Sequence, residues 1–142
     1  MLKNTEFTDK LRASGLRPTK QRLKICEVLF NRKETFHFTI NDLAKNISEQ
    51  LNEKISLATV YNTVHAFKKK GYLKEISINS DKSYFDTNIS NHHHFFDEDT
   101  NDLIDCDDQI IETPKIKKNI TGKKINSVEV LVKVATDNQN QK

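Results

Sequence analysis

Around Gly71 the apolar residues change their spacing, and no other feature of the chain limits its fold so tightly. Before this point they recur at helical intervals. In "PTKQRLKICEVLFNR" Leu23, Cys26, Leu29 and Phe30 fall on one helical face behind Thr19, a capping residue that follows Pro18. In "TINDLAKNISEQL" Ile40, Leu43, Ala44, Ile47 and Leu51 repeat at i, i+3, i+4, i+7 and i+11, and Thr39 with Asp42 makes a capping box. After the short polar turn "NEK", Ser56 caps a third helix that turns Leu57, Val60, Val64 and Phe67 inward and stops at Gly71. Beyond Gly71 the pattern alternates: "YLKEISI" and "SYFD" read as two strands across the polar turn "NSDK". Helices followed by a hairpin predict an α+β chain whose first part is a winged helix.

The two helices joined by the short turn have the outline of a helix-turn-helix, and the second ends in Lys68, Lys69 and Lys70. Its outward face carries Thr59, Tyr61, Asn62, His65 and Lys69. Such a set suits a duplex, because Asn pairs with adenine and an aromatic ring or methyl group touches the thymine methyl. Charge points the same way. The formal net charge of +3 conceals an asymmetry: residues 1–75 carry 15 Lys and Arg against 8 Asp and Glu, a net +7, whereas residues 76–142 carry 8 against 12, a net −4. A basic half fits a polyanion, since each phosphate contact releases condensed counterions.

The acidic half contains "SNHHHFFDEDTNDLIDCDD", residues 90–108. On a strand His92 and His94 project from one face and His93 from the other. Paired imidazoles with carboxylates nearby form the mixed nitrogen and oxygen set that Fe(II), Mn(II), Zn(II) and Co(II) accept. The two cysteines, Cys26 and Cys106, are far apart and form no Cys-x-x-Cys pair, so neither a disulfide framework nor a structural zinc held by four cysteines is expected. No stretch approaches the roughly 20 apolar residues of a membrane span, and "MLKNTEFTDKLRAS" lacks the apolar core of a secretory signal. A cytoplasmic chain is the expectation. A hydrolytic metal centre is the alternative of another class, but the chain has no H-E-x-x-H pattern and only three glycines, with no phosphate loop.

The blocks "GLRPTKQRLKICEVL", "ISLATVYNTVHAFKKKGYL" and "SYFDTNISNHHHFF" resemble, in order and spacing, those of the ferric uptake regulator family of metal-dependent repressors. The resemblance covers roughly residues 10–112, with the "HHHFF…NDLID" version most similar to the iron response regulator branch. It implies a winged-helix DNA-binding domain over 1–87, then a small α/β dimerisation and metal-sensing domain over 88–142. By this resemblance the regulatory ligands are His37, Asp86, His92, His94 and Asp105, two of the family's glutamates being aspartates here. Asn91, His93 and Glu112 match a further metal site that lacks its remaining histidine, and His93 or a neighbour is the haem axial ligand of an alternative, haem-released regulator. The positions of the family's first zinc cysteine pair hold Asp97 and Thr100.

The same resemblance gives Tyr61 and Asn62 base contacts, Arg17 a minor-groove role, and Lys20, Arg22, Lys69 and Lys70 phosphate contacts on an A·T-rich pseudo-palindrome. The expected partners are double-stranded DNA and a second copy of the chain, with genes of iron or other metal homeostasis under control. "SVEVLVKVA" alternates as a strand with one dry face, placed to pair across a two-fold axis, and the polar tail "TDNQNQK" is expected to be disordered.

Overall fold

The computed structural model describes residues 4–138, so the last four residues of the tail lie outside the described residues. The chain divides after Ile89 into two compact units.

The first unit runs α1 (Asn4–Ala13), α2 (Lys20–Phe30), β1 (His37–Phe38), α3 (Ile40–Leu51), α4 (Leu57–Lys70), β2 (Lys74–Asn79) and β3 (Lys82–Asp86). The expected caps form. Thr19 accepts from the Arg22 N–H, Thr39 and Asp42 bond reciprocally, and Ser56 accepts from the Thr59 N–H. Gly71 ends α4 at φ 94°, a left-handed turn that a side chain disfavours. A buried core lies between these helices, with Leu29, Leu43, Ile47, Val60, Val64 and Phe67 all inaccessible to solvent. The Cys26 thiol is among them, and burial pushes its pKa up to about 12, which leaves it an inert core side chain.

Two elements were absent from the sequence reading. Helix α1 contributes Phe7 and Leu11 to the core, and the two-residue strand β1 joins the hairpin to give a sheet in the order β1-β3-β2. One inward expectation fails: Leu57 is half exposed, because it opens α4 one turn before the core begins at Val60.

The second unit consists of β4 (His93–Asp97), β5 (Leu103–Cys106) and β6 (Leu131–Val134), in the order β5-β4-β6. Strand β5 is antiparallel to β4 and β6 is parallel to it. Strand β6 is shorter than the alternation suggested, and neither of its faces is dry in the single chain, where Leu131 and Val132 are half-buried and Val134 is exposed. All the α-helices among the described residues are in the first unit; residues 107–130 connect β5 to β6 by turns, with Ile110, Ile116, Ile120 and Ile125 exposed, as is Ile104 on β5. No described helix is long and apolar enough to cross a membrane.

A carboxylate staples the end of this sheet. Asp99 Oδ2 accepts the Thr136 hydroxyl at 2.6 Å and the Thr136 N–H at 2.5 Å, and these two bonds hold its carboxyl below the usual carboxylate range. A pKa lowered in the folded state adds stability that is complete above the unfolded value and disappears as pH falls through the folded one. Thr136→Val is expected to lower stability slightly near neutral pH, with the difference from the unmodified chain closing below about pH 4. Urea midpoints taken across that range check the sign.

Candidate metal centre and DNA-reading helix

Sheet register brings the first pair of candidate ligands together. Strand β1 sits against β3 with His37 opposite Asp86 and Phe38 opposite Phe85. Stacking of Phe38 on Phe36 at 5.1 Å and on Phe85 at 5.8 Å fixes this short strand, and the Phe36 N–H donates to Thr87 Oγ1 at 2.9 Å. His37 Nε2 thereby lies 3.0 Å from Asp86 Oδ2. Asp86 is fully buried, and its Oδ1 accepts the Asn88 N–H at 2.8 Å. Lys74 stands opposite Asp86 on the other side, where burial pushes its ammonium pKa down and Asp86 partly opposes the shift. A buried carboxylate of this kind persists as an anion only with cations or donors around it.

The second unit assembles the other three candidate ligands. His94 is paired with Asp105 across β4 and β5, and the His92 and His94 rings lie 4.3 Å apart. Both Nε2 atoms lie 3.0 Å from one oxygen, Asp105 Oδ1. His92 Nδ1 is 2.7 Å from the Ser90 carbonyl. A carbonyl oxygen only accepts, so Nδ1 carries the proton and the neutral ring turns the Nε2 lone pair toward the carboxylate. Lone pair and anion repel at that distance unless a second proton or a metal cation stands between them. The donor set thus fits a divalent cation: imidazole nitrogens oriented by a hydrogen bond from the far side of the ring, and a carboxylate oxygen converging on them.

His93 is engaged differently. Its Nδ1 accepts the Val130 N–H at 2.9 Å, and its Nε2 lies 2.9 Å from Thr113 Oγ1, which donates to Asp108 at 3.2 Å. The ring is buried, with both nitrogens used within the protein, so an axial bond to haem or to a second metal would cost one of these contacts. Glu112 is exposed, and among the described residues neither it nor His93 belongs to a group able to hold an ion. The haem alternative gains nothing from this geometry. Burial also raises the Cys106 thiol, so it is not poised as a thiolate ligand.

On the first unit, α4 presents Tyr61 and Asn62 to solvent with Lys69 and Lys70 further along. Thr59 is half-buried and its hydroxyl sits 2.9 Å from that of the capping Ser56. His65 is also half-buried, stacked under Tyr61 at 4.1 Å and edge-on to Phe85 at 5.5 Å. Arg17 and Lys20 are exposed before and at the start of α2, and Arg22 Nη1 donates to the Arg17 carbonyl at 3.0 Å. The supporting partners Ser90, Thr113 and Val130 escaped the sequence reading, since nothing in their local pattern announces a contact with a histidine.

The ferric uptake regulator family model matches residues 13–134. The chain is 31% identical over 121 residues to the peroxide operon regulator of Bacillus subtilis, covering 84% of this chain and 81% of that one. It is 36% identical over 103 residues to the ferric uptake regulation protein of Vibrio parahaemolyticus, covering 72% and 68%. The crystal structure of the Vibrio cholerae ferric uptake regulator superposes with a TM-score of 0.66 at 25% identity, over 91% of this chain and 98% of that one. The Pseudomonas aeruginosa ferric uptake regulator, solved with manganese, shares the fold with a TM-score of 0.67 at 24% identity, over 96% and 98%. These relatives do not single out the iron response regulator branch. With a winged helix in the first unit and a histidine and carboxylate set in the second, the chain belongs to the ferric uptake regulator family, whose members are metal-responsive transcription regulators that bind DNA as dimers and not enzymes.

Proposed function

We propose that His37 and Asp86 from the first unit and His92, His94 and Asp105 from the second bind one divalent cation of the iron, manganese and zinc class, and that this binding favours the DNA-bound form of a cytoplasmic homodimer. The observation that carries the reading is the pair of Nε2 atoms facing a single Asp105 oxygen while the proton of His92 is committed to Ser90. Asp86 and His92 are six residues apart, so the intervening chain spans at most about 22 Å and permits a shared ion. When bound, a divalent cation would add positive charge beside both carboxylates. Ser90 holds the His92 ring in the ligating tautomer, and the Asn88 N–H holds the Asp86 carboxylate in place. Ligands drawn from both units couple them, and the free energy of binding then shifts the population toward one spacing of the two reading helices.

In that form Tyr61 and Asn62 reach base edges, Arg17 enters the minor groove of an A·T-rich pseudo-palindrome, and Lys20, Arg22, Lys69 and Lys70 hold phosphates. His65 and Thr59 serve the same face from beneath, His65 by supporting Tyr61 and Thr59 by closing the helix cap.

Elemental analysis of untagged protein, followed by duplex titration with and without added Mn(II), tests the reading; binding that is indifferent to metal overturns it. Tyr61→Ala is expected to reduce discrimination between a selected duplex and a scrambled one by roughly tenfold, within the 1–3 kcal/mol typical of one specific base contact. Competition binding measures the ratio, and an unchanged ratio removes Tyr61 from base readout.

A further inference from the structure

Three consecutive lysines end α4, and their environments differ. Tyr61, His65 and Lys68 follow one another at i, i+4 and i+7, so they form a single row along the helix. The last two residues of that row dock on the hairpin formed by β2 and β3, while Tyr61 stays exposed: His65 meets Phe85 of β3, and Lys68 Nζ lies 2.7 Å from Glu75 Oε1 of β2. Lys69 and Lys70 are exposed, as Lys68 is, but have no carboxylate partner among the described residues.

We propose that Glu75 is a positioning residue: by pairing with Lys68 against the hairpin, it withholds that ammonium from DNA phosphates and leaves the sequence-independent contacts of this turn to Lys69 and Lys70. The proposal rests on the reading of α4 as the DNA-facing helix and says which of its charges stay out of the interface. The Glu75 carboxylate is ionised, since the hydrogen bond from Lys68, followed by one from Ser83, holds it below the usual carboxylate range against the opposing effect of burial. An ammonium so neutralised displaces few counterions, and counterion release is the term that raises affinity for every sequence alike. Glu75 therefore lowers binding to random duplex and to a recognised site by the same factor, by keeping one phosphate contact out of the interface.

The test uses the full chain with Mn(II), a duplex selected by the unmodified protein from a random pool, and a scrambled duplex of equal length, each titrated from about 50 to 200 mM KCl. Glu75→Gln is expected to steepen the slope of log K against log salt by about 0.9 on both duplexes and to leave the ratio between them unchanged. Lys68→Gln is expected to leave the slope unchanged, and the double variant to restore it. Lys69→Ala, by contrast, should make the slope shallower by about 0.9. If Glu75→Gln leaves the slope as it was, or steepens it equally in the double variant, while Lys69→Ala still acts, this proposal alone is overturned. If neither Lys69→Ala nor Tyr61→Ala alters binding, the assignment of α4 to DNA fails as well. The Lys68→Gln slope decides the matter even should Glu75→Gln fold poorly, because a slope lowered by about 0.9 would put Lys68 on a phosphate.

Discussion

Asp105→Ala is expected to weaken Mn(II) binding by at least about 100-fold and to remove most of the metal dependence of duplex binding. Losing an outer partner of a metal site already costs about 10- to 100-fold, and Asp105 is placed where a ligand would be, its Oδ1 being 3.0 Å from both His92 Nε2 and His94 Nε2. Alanine also removes the negative charge that faces those two rings, leaving a less compensated cationic set if a metal binds at all. Equilibrium dialysis with Mn(II), paired with duplex titration, reads both effects. Metal content equal to that of the unmodified protein would exclude Asp105 as a ligand. A lost metal with unchanged duplex affinity would instead separate metal binding from DNA binding and leave the chain a constitutive winged-helix protein.

Phe38→Ala is expected to destabilise the first unit by about 3–5 kcal/mol, the range for emptying a buried aromatic position. Phe38 has no exposed surface and stacks on Phe36 and Phe85. Phe38 is half of the two-residue strand β1, so the truncation should loosen the register that sets His37 opposite Asp86. Metal affinity should fall along with stability although no ligand has been touched. Phe67→Ala empties an equally buried position, edge-on to Phe30 at 5.5 Å and Tyr72 at 6.1 Å, and serves as the control. It should cost similar stability and leave the His37 and Asp86 pairing intact. Urea midpoints with Mn(II) titrations of both variants distinguish a local effect on β1 from general loosening.

The parts of the molecule legible in its sequence are those governed by short-range rules. Ser56, Thr39 with Asp42, and Gly71 punctuate α3 and α4 because caps are satisfied within three or four residues. The period of two along a strand separates His92 and His94 from His93 before any coordinates are known; β4 begins only at His93, yet the His92 and His94 rings do lie together against Asp105. Helix α1 escaped because its buried face amounts to Phe7 and Leu11 amid charged neighbours. Strand β1 escaped because two residues cannot display a period, although its partner in β3 makes it decisive for His37. The state of His93 was equally hidden. Its two nitrogen partners, Val130 and Thr113, are 37 and 20 residues away, and only the course of the intervening chain brings them to the ring.

The isoleucines that line the surface of the second unit have a thermodynamic consequence. Ile104, Ile110, Ile116, Ile120 and Ile125 each leave roughly half or more of their surface to water, an arrangement that favours cover by another protein surface. If the second copy of the chain provides that cover, melting of this unit becomes a mass-action equilibrium: its midpoint climbs with protein concentration while that of the helical first unit stays put. Calorimetric scans at concentrations about a hundredfold apart would reveal the divergence, and scarcity of the regulator would itself be felt as local unfolding.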